Sequence, residues 1–345
     1  MALANSPTGK KGLPVPVLSA PHELIDSDLY VDLAPLFGRG LLLKCEGLNF
    51  GGSVKMRAAA AMVAAAEKGG LLGPDSALIE SSSGNLGVAL SVIAASKGLR
   101  FTCVTDRRCN QTTLSIMRSL GADVVVVDDP ARDGGLLAAR LERVRELCAR
   151  DHRYVWLNQY TNPANWQAHY AVTAAGIANR FPDLDVLFVG TGTGGTVMGC
   201  AKYFRAEGGT TRVIAVDAEG SVSFGHPAAA RLVPGLGASV RPPMLEPEFV
   251  ADVVLVSEVD TVRTCRTLSS RGLLLGGSTG TVVAGALAWL RDKDPGGSLS
   301  AVAISADMGE RYLDTIYDDA WVLRHFGPEG LLPMDPAFAP PMCAR

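Results

Sequence analysis

Asn49-Phe50-Gly51-Gly52-Ser53-Val54-Lys55-Met56-Arg57 decides the reading of this chain. A glycine turn delivers a lysine to the start of an alanine-rich helix, expected over 54–68 and ended by Gly69-Gly70. An amine in an apolar, partly desolvated helix start has a lowered pKa, and its neutral form can attack a carbonyl. Position alone favours a solvated first-turn lysine, so the segment needs support from elsewhere.

Three later segments supply that support. Ser82-Ser83-Gly84-Asn85 follows an expected strand at 77–80 and opens a helix expected over 85–97. The free N–H groups of such a helix start can hold a carboxylate. Gly192-Thr193-Gly194-Gly195-Thr196 has the same strand-loop-helix setting and can cradle a phosphate. Gly276-Gly277-Ser278 places a hydroxyl before a further helix. Taken singly, the serine segments also read as ordinary N-caps. Gly190, Gly192 and Gly195 also fit a dinucleotide fingerprint, with Asp217 where a ribose-binding acid would stand. That reading puts the motif deep in the chain and leaves the other three segments without a role.

Around these segments, apolar strands alternate with helices. The expected elements are strands at 100–104, 123–127, 186–189 and 213–216, with helices over 111–120 and 134–150. The pattern lapses into Gly, Pro and Ser between 218 and 250, as a functional loop does, and resumes over 253–317. This is an α/β chain with two mainly parallel sheet domains. A small βα domain is expected over 50–155, a larger domain from 14–49 and 156–322, and a Pro-rich tail over 323–345. A length of 345 residues suits two domains sharing a cleft.

A net charge of -3 gives no electrostatic case for nucleic acid or an anionic membrane. No apolar run reaches the roughly 18 residues that span a bilayer, and the first twelve residues lack a signal-peptide core, so a cytoplasmic protein is expected. Seven cysteines without a Cys-x-x-Cys pair, and five dispersed histidines, argue against a disulfide framework or a metal site.

Together, in this order, the four segments resemble the cysteine synthase family of pyridoxal-phosphate (PLP) enzymes. The likeness extends over about residues 14–320 and includes Gly309-Glu310-Arg311-Tyr312-Leu313. It implies the fold-type II, tryptophan synthase β-like arrangement, with the cofactor between two twisted sheets, and a homodimer. Residue by residue it implies Lys55 as the Schiff-base lysine, Asn85 at the cofactor hydroxyl, Gly192, Thr193, Gly194, Gly195 and Thr196 at the phosphate, and Ser278 at the pyridine nitrogen. Ser82, Ser83 and Gln159 fall on positions that hold the substrate carboxylate.

Within that family, Asn158-Gln159-Tyr160, Val216–Val222 and Pro234–Ser239 are similar to the branch of N-(2-amino-2-carboxyethyl)-L-glutamate synthases of 2,3-diaminopropionate biosynthesis. The implied reaction is β-replacement joining O-phospho-L-serine and L-glutamate. Tyr160 stands where cysteine synthases carry Phe, and its hydroxyl could bond the donor's phosphate. Arg140, or Arg231, is a candidate for the anionic substrate, with a solvated helix-face arginine as the alternative for Arg140. Gly192 departs from the branch, which carries serine there, and restores the loop of a cysteine synthase using sulfide with O-acetylserine or O-phosphoserine. A catalytically idle interaction protein is the remaining alternative.

Overall fold

The structure, a computed structural model, describes residues 18–25, 28–131 and 135–334. Short apolar runs and glycine-ended helices build two sheets. The chain enters through β1 (Tyr30–Asp32), α1 (Ala34–Phe37), β2 (Leu42–Cys45) and α2 (Lys55–Lys68). It then makes β3 (Ala77–Ser81), α3 (Asn85–Lys97), β4 (Arg100–Asp106), α4 (Gln111–Ser119), β5 (Asp123–Val127), α5 (Gly135–Arg150) and β6 (Tyr154–Trp156). These four later strands form one parallel sheet in the order β5-β4-β3-β6.

The chain returns through α6 (Pro163–Ala168), a π-helical turn at His169–Ala174, and α7 (Ala175–Arg180). β7 (Val186–Gly190), α8 (Gly195–Ala206), β8 (Arg212–Ala218), β9 (Asp252–Val256), α9 (Glu258–Ser269), α10 (Gly277–Lys293), β10 (Ala301–Ser305) and α11 (Asp319–Phe326) follow. The larger sheet has the order β1-β2-β10-β7-β8-β9, parallel except for β1.

Packing explains the elements. α3 is apolar almost all round, with Leu86 through Ala94 buried, because it lies inside the small-sheet core with Met56, Met62, Leu78 and Met117. Truncating Leu90 or Ile93 there should cost about 2–5 kcal/mol. α10 is buried in the same way against β7, β8 and β9, with Val283, Leu287 and Leu290 in the core of the large sheet. Parallel strands place their carboxyl ends, and the loops leaving them, on one side of a sheet. In open α/β sheets that side is where ligands bind. The 46–54, 82–84 and 191–194 loops leave β2, β3 and β7 there.

Several boundaries differ from the sequence reading. β3 runs on to Ser81 and β4 to Asp106, since pairing with neighbours extends each strand. The sequence did not reveal β2, because Lys44 interrupts its apolar run; that lysine is buried and faces Glu46 at 3.8 Å and Asp28 at 3.6 Å. The expected tail begins inside α11, and its described part packs back, with Gly330 against Val322 and Met334 in the large-sheet core. The expected domain start at residue 14, Gly134, Cys343 and residues 335–345 lie outside the described residues. Among the described residues, no helix is long and apolar enough to cross a membrane, and no cluster of three His, Cys, Asp or Glu side chains is placed for a metal.

Candidate active site

Asn49 shapes the turn that presents Lys55. Its side-chain oxygen accepts from Gly51 N–H at 3.0 Å, and its amide donates to the Ser53 carbonyl at 2.9 Å. Gly52 adopts φ +64, a left-handed conformation open to glycine. Val54 N–H donates to the Ala306 carbonyl at 2.7 Å, which ties the start of α2 to the end of β10. Lys55 is therefore the first residue of α2 and faces the space between the sheets. Burial lowers its pKa, and the charge of Asp307 offsets part of that effect. The solvated alternative does not hold, and the shift is toward the neutral amine that nucleophilic attack needs.

Ser82 caps the opposite wall. Its hydroxyl accepts from Gly87 N–H at 2.9 Å, leaving the first N–H groups of α3 turned toward the cleft. Asn85 donates to Asp307 Oδ2 at 2.8 Å and accepts from Arg311. Gln159 is anchored twice, through its backbone to Glu80 Oε2 at 3.0 Å and its side chain to the Ser81 carbonyl at 2.8 Å. The preceding residue, Asn158, takes φ +53, which turns the chain at the end of β6.

The glycine-rich loop precedes α8. Gly194 has φ +93, and a methyl group at Gly195 would overlap the Asn165 side chain. Asn165 donates to the Gln159 carbonyl at 2.8 Å and lies 3.4 Å from the Thr193 hydroxyl, so it ties the loop to the segment that carries Gln159. Thr196 contacts His169 Nε2 at 3.3 Å; burial holds that imidazole well below its ordinary pKa, hence neutral. Ser278 is buried and donates to Asp307 Oδ1 at 2.6 Å.

Lys55, Asn85, Gly192, Thr193, Gly194, Gly195, Thr196 and Ser278 line one cavity. The adjoining cleft, about 360 Å³, is lined by Lys55 and Asn85 together with Ser82, Ser83, Gln159, Tyr160 and Arg140. The fold thus gathers into one cleft every residue that the resemblance implies for the cofactor and the substrate. An amine, a helix N-terminus with two threonine hydroxyls, and isolated polar side chains suit a ligand with a carbonyl at one end and a phosphate at the other.

Two of the alternatives fall away. Arg140 is not a solvated helix-face residue: it is buried, and its Nε lies 3.1 Å from Asp106 Oδ2. Asp217 is fully buried, accepts from Ala218 N–H at 2.8 Å and does not line the cleft, so it is not placed as a ribose-binding acid. Asp307 and Asn165 carry no role in the sequence reading. The Gly309–Leu313 segment was a signal for Asp307, because Tyr312 reaches back to the same carboxylate. Arg231 lines the cleft and donates to the Gly220 carbonyl and, at 3.2 Å, to Ser239. Arg241, exposed at the rim, has no ion-pair partner among the described residues.

Comparison with known proteins agrees with this geometry. An N-(2-amino-2-carboxyethyl)-L-glutamate synthase of Cupriavidus metallidurans is 43% identical over 309 residues, covering 88% of this chain and 90% of that protein. One of Ralstonia nicotianae is 42% identical over 300 residues, covering 85% and 88%. A hydrogen sulfide-producing enzyme of Fusobacterium nucleatum superposes with a TM-score of 0.81 at 30% identity, over 87% of this chain and 99% of that one. The fold is that of fold-type II PLP enzymes, and the pyridoxal-phosphate dependent enzyme family matches residues 30–307. The chain belongs to the pyridoxal-phosphate-dependent enzyme family.

Proposed function

We propose that this enzyme joins O-phospho-L-serine and L-glutamate by β-replacement, giving N-(2-amino-2-carboxyethyl)-L-glutamate and phosphate. The observation that carries this reading is 43% identity, over 88% of the chain, to a synthase named for that product. When bound, the cofactor withdraws electrons from Cα of the donor, so that the group on Cβ can leave.

In this reading Lys55 would carry the cofactor, Asn85 and Ser278 would hold its ring, and the 192–196 loop would hold its phosphate. Ser82, Ser83, Gln159 and the first N–H groups of α3 bind the donor's carboxylate. The Lys55 amine would take the Cα proton and later return it. Burial keeps the Tyr160 phenol protonated, so it can donate to the departing phosphate. Arg140 adds positive charge on the same wall. After the Cβ–O bond to phosphate has broken, the free glutamate amine would attack Cβ, and the proton it sheds would pass to water.

The division into a small domain over 50–155 and a larger one over 14–49 and 156–322, a homodimeric state and a cytoplasmic location belong to the same reading. Sulfide as the nucleophile is the second reading, favoured by Gly192 and by the likeness to a hydrogen sulfide-producing enzyme. Phosphate release from O-phosphoserine tests the proposal. It should depend on L-glutamate, saturate with it, and exceed turnover of O-acetylserine. Release that is indifferent to glutamate but driven by sulfide would replace the first reading with the second.

A further inference from the structure

Asp307 lies just beyond β10 and is completely buried. Its backbone carbonyl accepts from Gly276 N–H at 2.9 Å, and it pairs with Ser53 as an isolated bridge beside Lys55. Its carboxylate is the meeting point of three donors. Oδ1 accepts the Ser278 hydroxyl at 2.6 Å, while Oδ2 accepts the Asn85 amide at 2.8 Å and the Tyr312 hydroxyl. Asn85 opens α3 beside the small sheet, whereas Ser278 stands in the first turn of α10 against the large one. Space for the carboxylate exists because residue 276 is glycine; a methyl group there would overlap it.

We infer that Asp307 is a positioning residue of the active site: one carboxylate fixes the side chains of Asn85 and Ser278, drawn from opposite walls, and sets a negative charge within reach of Lys55. Ser278 spends its proton on Asp307 and so presents lone pairs to the cavity. Asn85 is held from both ends, with its amide on Asp307 and its oxygen on Arg311. Removing the carboxylate would release both side chains and leave Lys55 with burial alone, which drives its amine further toward the neutral form.

The test uses the full chain stripped of cofactor with hydroxylamine. The pH dependence of Lys55 acylation, read by peptide mass spectrometry, gives the amine's titration midpoint. Asp307→Asn should lower that midpoint by about half a pH unit or more. It should also weaken PLP binding about tenfold, because it disturbs charged hydrogen bonds to two cavity side chains. Tyr312→Phe removes one donor and keeps the charge, so the Lys55 midpoint should stay in place. If Asp307→Asn does not fold, Asp307→Ser, smaller and uncharged, is read by the same two measurements. An unchanged midpoint with PLP affinity within twofold of the parent would overturn the inference. An equal shift in Tyr312→Phe would overturn it as well, by tracing the effect to general disturbance.

Discussion

The backbone N–H of Gln159 donates to the Glu80 carboxylate at 3.0 Å, which joins the end of β3 to the segment that presents Gln159 and Tyr160. Trp156 Nε1 and Ser81 N–H donate to the other oxygen at 3.2 and 2.8 Å. Both proposed carboxylate-binding segments therefore hang on one buried acid. Burial pushes the Glu80 carboxyl up to about 7 despite these donors.

A raised acid pKa means that the folded protein holds a proton which the unfolded chain has already lost. Stability from Glu80 is then full below about pH 4.5 and declines as pH rises to about 7. The decline is on the order of 3 kcal/mol. Glu80→Gln should flatten this part of the pH–stability curve, whatever its effect on absolute stability. Urea unfolding at pH 5 and pH 8 measures it, and an equal slope in both proteins would refute the assignment.

Tyr160→Phe should reduce kcat/KM for O-phosphoserine by about tenfold or more, a hydrogen bond to a charged group being worth roughly 1.5–3 kcal/mol. Turnover of O-acetylserine should fall much less. Equal losses on the two donors would remove Tyr160 from donor selection.

Gly195→Ala should expel Asn165 from its place between Gln159 and Thr193, since the added methyl group overlaps that side chain. Overpacking of this kind costs about 1–3 kcal/mol, and cofactor affinity should fall with it. Equilibrium dialysis with PLP and a melting curve check both effects. Undiminished PLP affinity would show that the loop does not depend on this packing.

The arginines should separate by role. Arg140→Ala leaves Asp106 buried without its partner, so it should destabilise the fold by about 3–5 kcal/mol. Arg231→Ala and Arg241→Ala should instead raise KM for glutamate while sparing use of the donor, because both line the cleft and neither forms the Arg140–Asp106 pair. Steady-state kinetics at fixed donor, beside melting curves, distinguishes these outcomes. An unchanged glutamate KM in both variants would place the second carboxylate elsewhere.

Much of the site was legible because each segment is a local strand-loop-helix unit whose glycines and hydroxyls carry their own geometry. Lys55, Asn85, Thr193 and Ser278 are of this kind, and residues 85–97 and 123–127 have the boundaries their patterns imply. Long-range contacts were not legible. Asp307 meets Asn85 from 222 positions away, and no local pattern marks such a pairing. Arg140 read as either a substrate contact or a solvated helix-face residue, because its partner Asp106 belongs to a different element. β6 is three residues long and gains its strand character from pairing with β3.

Reduction of the holoenzyme with borohydride, followed by peptide mapping, should place the pyridoxyl group on Lys55. Lys55→Ala should lose the visible absorbance band of the bound cofactor. A label on another lysine would contradict the assignment of the site.

The central claim is that glutamate nitrogen ends up on the β-carbon of the donor. The direct measurement supplies O-phosphoserine with equal amounts of [15N]glutamate and sulfide, and reads the products by mass spectrometry. The account predicts a dominant product that contains the label together with the three-carbon unit of serine. Cysteine as the main product, with the label left in free glutamate, would contradict it.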